Sequence, residues 1–62
     1  MWQLVQVSVG SGTYRGRFRV EGRNLILEWS GGRTSEWLGN LKPELVAAML
    51  LKKLVARMPA AA

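Results

Sequence analysis

The sequence contains no cysteine, no histidine and no aspartate. Without cysteine there can be no disulfide. Without cysteine or histidine the ordinary zinc sites are excluded, so neither staple that small domains commonly use is present. Without histidine or cysteine there is no imidazole base and no thiol nucleophile, and without aspartate the four glutamates, spread over separate segments, are the only carboxylate side chains. A non-enzymatic protein is expected, with no catalytic residue, no metal and no cofactor. Length is the other scarcity. At 62 residues the chain has room for one domain, and a domain of this size buries only about 60% of its unfolded surface. Packing or self-association must supply what staples do not, so a homodimer is expected on these grounds alone.

Hydrophobic residues form 48% of the chain and charged residues 21%, a composition that folds. Nine Lys and Arg stand against four acids, giving a formal charge of +5 and a pI near 10.9. Polyanions or acidic surfaces are the natural partners for such a chain. The start, Met1-Trp2-Gln3-Leu4-Val5, lacks the basic and apolar regions of a secretory signal, and a cytoplasmic location is expected. The longest apolar stretch is cut by Lys52-Lys53 and is too short to span a membrane.

Read along its length, the chain predicts a four-stranded antiparallel meander followed by one amphipathic helix, an α+β fold of order ββββα in a single domain over residues 1–58. Strands are expected at about 2–9, 13–20, 25–30 and 33–38, a helix at about 43–57, and a frayed tail at 59–62. Residues 2–9 are β-branched or aromatic at many positions, with Gly10-Ser11-Gly12 as the break. In residues 13–20 Tyr14, Gly16, Phe18 and Val20 alternate with Thr13, Arg15, Arg17 and Arg19, so one face is apolar and the other basic. Gly22-Arg23 is the next turn and Gly31-Gly32 the third.

The preferred register closes the first hairpin around Gly10-Ser11-Gly12 and sets Trp2 opposite Val20 and Leu4 opposite Phe18. Around Gly22-Arg23 it sets Phe18 opposite Leu27, Trp29 opposite Gly16 and Glu28 opposite Arg17. For the fourth strand a two-residue loop puts Trp37 on the arginine face. A three-residue loop with a bulge puts Trp37 beside Leu27, at the cost of Glu36 opposite Glu28, and is preferred because it buries the indole.

Pro43-Glu44 reads as a helix start, with proline suited to the first helical position and glutamate to the positive end of the dipole. At 100° per residue, Ala47, Leu50, Leu51, Leu54, Val55 and Met58 form a stripe for the sheet, with Lys52, Lys53 and Arg57 opposite. Leu45, Val46 and Met49 fall near the lysines and are left over.

The most specific functional signal is Arg15, Arg17 and Arg19 on alternate positions of one strand, about 6.6 to 7 Å apart on one face, close to the phosphate repeat of a nucleic-acid strand. Arg23 and Arg33, in the turns at either end of the third strand, extend the same basic surface. These five are the candidate nucleic-acid-binding residues, and the expected contacts are to phosphate with low sequence specificity. Arginine on every other strand position is also what a solvated face or a guarded edge looks like. In the preferred register Val5, Val7, Val9 and Ile26 share the arginine face, which favours an interface over plain solvent exposure. With Leu45 and Met49 they are the candidate interface residues of an alternative reading, a protein-interaction or oligomerisation module. A helix with a basic flank on a membrane surface is a lesser alternative, disfavoured because the strands need its apolar stripe.

Overall fold

The fold is described from a computed structural model, over residues 1–57. Four strands form one antiparallel sheet in sequence order: β1 (Gln3–Val9), β2 (Gly12–Glu21), β3 (Asn24–Trp29) and β4 (Gly32–Trp37). One helix, α1 (Pro43–Arg57), follows. This is the ββββα meander that the alternation and turn residues predict, and the expected helix bounds coincide with those observed. The expected tail, and Met58 of the helical stripe, lie outside the described residues.

The first two hairpins have two-residue loops. Gly10 and Gly22 occupy the first loop position with φ of 60° and 62°, the left-handed backbone that a type II′ turn requires there and that glycine adopts without cost. The first loop is thus Gly10-Ser11, with Gly12 already in β2 opposite Val9. That single residue corrects the expected β1 register. Gln3 pairs with Phe18 and Leu4 with Arg17, in place of Leu4 with Phe18 and Trp2 with Val20. A slip of one residue turns every side chain of a strand over. Val5, Val7 and Val9 therefore face the helix and not the arginines; Val5 and Val7 are buried, and Val9 packs against the core.

Between β2 and β3 the expected register holds, with Phe18 opposite Leu27, Arg17 opposite Glu28 and Gly16 opposite Trp29. A Cβ at Gly16 would come 2.9 Å from the Glu28 carbonyl oxygen and 3.2 Å from Trp29 Cβ, so no side chain fits there, while the Trp29 indole itself lies against Gly31 in the next turn. The third hairpin takes the two-residue loop Ser30-Gly31, not the bulged one. Arg33 then lies opposite Glu28 and Trp37 opposite Asn24, while Glu36 lies opposite Leu25. The bulge would have set Glu36 against Glu28. The observed register replaces that repulsion with attraction, and Trp37 is left 63% exposed.

The helix crosses the sheet over β1, β2 and β3, with no close approach to β4 among the described residues. Its buried side chains are Val46, Ala47, Leu51 and Val55, packed with Phe18, Leu25, Leu27, Leu38 and the two β1 valines into one core. Leu25, Leu27, Ala47 and Leu51 have no exposed surface. Val46 belongs to this core although its helical angle sets it near Lys53. Buried Leu38, from the segment after β4, belongs to the same cluster, and its N–H donates to the Arg23 carbonyl at 2.8 Å. Leu45 and Met49 remain exposed, at 58% and 66%, as the helical projection expects.

Candidate nucleic-acid interface

Because the helix covers the apolar side, the opposite side of the sheet has no cover among the described residues. Strand alternation brings Arg15, Arg17 and Arg19 of β2 onto it, with Ile26 and Glu28 from β3 and Arg33 from β4. The corrected register of β1 adds Leu4 and Gln6 to this face, opposite Arg17 and Arg15. Leu4 is 89% exposed. Ile26 is on this face as expected and half-buried, whereas Val5, Val7 and Val9 are not available to it.

The arginines are held, and each differently. Arg15 Nε donates to Gln6 Oε1 at 3.0 Å, a neutral partner that leaves its charge uncompensated. Arg17 donates through Nε and Nη2 to Glu28 Oε1, at 3.0 and 2.7 Å. Arg33 Nε approaches the other Glu28 oxygen at 3.6 Å. Arg19 pairs with Glu21. Four arginines and two glutamates thus share the face, and among the described residues Arg15 alone of those four has no acid. Arg23 does not extend it. Its guanidinium donates to the Gly39 carbonyl and ties the β2–β3 turn to the segment leading into the helix. Lys42, Lys52, Lys53 and Arg57 lie elsewhere, exposed on or just before the helix.

Sequence reasoning missed Trp2. The Arg17 guanidinium carbon lies 4.4 Å from the centre of the Trp2 ring and that of Arg19 lies 5.1 Å away, so one indole meets two cations, at about 0.5–1 kcal/mol each for such exposed pairs. The stack holds two of the three arginines in fixed posture and keeps the indole half-buried beside them. The signal was available in the sequence: once Val5, Val7 and Val9 are taken as the inward set of β1, Trp2, Leu4 and Gln6 must share the other face with the arginines.

Glu28 is the electrostatic centre. The hydrogen bond from Arg17 holds its carboxyl below the usual carboxylate range, helped by the nearby charges of Arg17, Arg33 and Arg19 and opposed by partial desolvation. A carboxyl whose folded-state pKa lies below its unfolded one stabilises the fold above the unfolded value, and the contribution is lost as pH falls through the folded value. Urea denaturation should therefore show stability falling as pH drops from about 5, and Glu28→Gln should flatten that part of the profile.

No protein family, curated protein or solved structure matches this chain.

Proposed function

We propose that the protein is a non-enzymatic module that binds nucleic acid through the phosphate backbone, using the uncovered sheet face, and that it acts in the cytoplasm. The observation that supports this most is the row of Arg15, Arg17 and Arg19 along β2 on the face opposite the helix, Arg17 and Arg19 stacked on Trp2, Arg15 bonded to Gln6, and Arg33 at the flank. Guanidinium groups at alternate strand positions meet successive phosphates, and such contacts position a strand without reading its bases. Arg15 engages first, since its charge is free; Arg17 and Arg19 must exchange carboxylates for phosphates.

The consequence is moderate affinity with a marked dependence on salt. Four phosphate contacts give a slope of about −3 in log K against log salt for single strands, and nearer −4 for a duplex. Tryptophan fluorescence titrated with single- and double-stranded oligonucleotides at 20 and 150 mM salt tests the reading, and no binding at the lower salt ends it. Glu28→Gln removes the competing anion and is expected to tighten binding several-fold while lowering stability modestly. A weaker-binding variant would mean that Glu28 does not compete with phosphate.

A further inference from the structure

The geometry points to a second copy of this chain as the occupant of the free edge of β4 and of the groove beside it, giving a two-fold dimer with one continuous eight-stranded sheet. The helix leaves β4 uncovered, and a groove of about 280 Å³ runs between that strand and α1. Its walls include Trp37, Leu41, Met49 and Leu50, with Glu36 on the strand side and Lys53 on the helix side. Trp37, Leu41 and Met49 are 63%, 61% and 66% exposed, a contiguous apolar patch on a chain with little core to spare. Half of the N–H and C=O groups of an edge strand point away from its neighbour and are open to another strand.

Charge selects both the partner and the register. In a sheet that continues across the axis, each β4 residue must meet one of the same face, so the two-fold passes through a residue. An axis through Arg33 sets arginine on arginine, and one through Glu36 sets glutamate on glutamate; both are repulsive. An axis through Thr34 leaves Trp37 beyond the paired strands. An axis through Ser35 pairs residues 33–37 throughout. It puts Arg33 opposite Trp37 of the second copy, a cation beside an indole, and Thr34 opposite its Glu36. Both arginine faces then lie on the same side of the joined sheet. This dimer does not rest on nucleic-acid binding and can be tested apart from it.

The chain has no cysteine, so one introduced thiol reports one contact. Ser35→Cys places two thiols directly across the axis, where facing Cβ atoms lie about 4.5–5.5 Å apart, close enough to bridge with a small backbone adjustment. Ser8→Cys, on the other free edge of the sheet, is the comparison; both serines are exposed, so neither change threatens the core. Under mild oxidation Ser35→Cys should give a disulfide-linked dimer at least tenfold faster than Ser8→Cys, and the difference should vanish in denaturant. The unaltered chain should sediment as a dimer at tens of micromolar. Equal rates for the two variants, faster bridging through Ser8→Cys, or a monomer at the highest concentration would overturn the proposal.

Discussion

Leu27→Ala is expected to leave the chain largely unfolded at 37 °C. Leu27 has no exposed surface, lies opposite Phe18 in the sheet and belongs to the core formed beneath the helix. Truncating a buried leucine costs about 2–5 kcal/mol, the lost transfer energy plus the cavity left behind. A domain of 62 residues has a total stability of roughly 3–9 kcal/mol on ordinary per-residue figures, so this one change removes much or all of it. Leu4→Ala is the comparison. It deletes the same atoms from a side chain that is 89% exposed and should shift stability by less than about 0.5 kcal/mol. Urea denaturation followed by circular dichroism reads both. If Leu27→Ala cost under 1 kcal/mol, the helix would not be packed on this face, and the arginine face would not be the free one.

The second large effect concerns binding. Changing Arg15, Arg17 and Arg19 together to Glu reverses the sign of the sheet face, a change of six charge units on three neighbouring positions, none of them in the core. Oligonucleotide affinity at low salt should fall by at least a hundredfold, as measured by anisotropy of a labelled strand. The same charge argument makes Lys52→Glu with Lys53→Glu the proper control, since those lysines are exposed on the helix, away from the sheet face. That pair should lower affinity only several-fold, through the general field of the protein. Equal losses in the two variants would mean that overall charge, and no particular face, governs binding.

Where the sequence was readable, one physical requirement usually left a single solution. Tyr14 to Val20 alternates without ambiguity, so the two faces of β2 and the pairing of Phe18 with Leu27 follow directly. Pro43-Glu44 marks a helix start with little competition, because proline is unsuited to a central strand. The errors arose where two solutions were nearly equal. In β1 both alternating sets carry large apolar groups, Trp2 and Leu4 on one side and Val5, Val7 and Val9 on the other. The choice rested on whether Gly12 was loop or strand, and a two-residue turn with glycine first settles it for Gly10-Ser11 as for Gly22-Arg23. In β4 burial of Trp37 is set against the cost of Glu36 opposite Glu28; the structure avoids that cost, places Arg33 opposite Glu28 and leaves the indole exposed.

These corrections alter the candidate site more than the fold. The arginine face loses its valines and gains Trp2, Leu4 and Gln6, so it reads as a charged surface with a fixed aromatic and not as a half-buried apolar interface. It also proves partly neutralised, which no strand pattern reveals, since Glu21 and Glu28 come into range only once registers and rotamers are set. The spare apolar surface predicted on the helix at Leu45 and Met49 remains, with Met49 lining the groove beside β4.

The most direct test of the central claim is a two-dimensional ¹H–¹⁵N spectrum of the protein titrated with a short oligonucleotide at low salt. The shifts should concentrate on the Trp2 indole N–H, the amides of residues 15–19 and those of Leu4 and Ile26, with Ala47, Leu51 and Val55 nearly unmoved. Shifts gathered instead on Lys52, Lys53 and Arg57, or a spectrum that does not change, would contradict it.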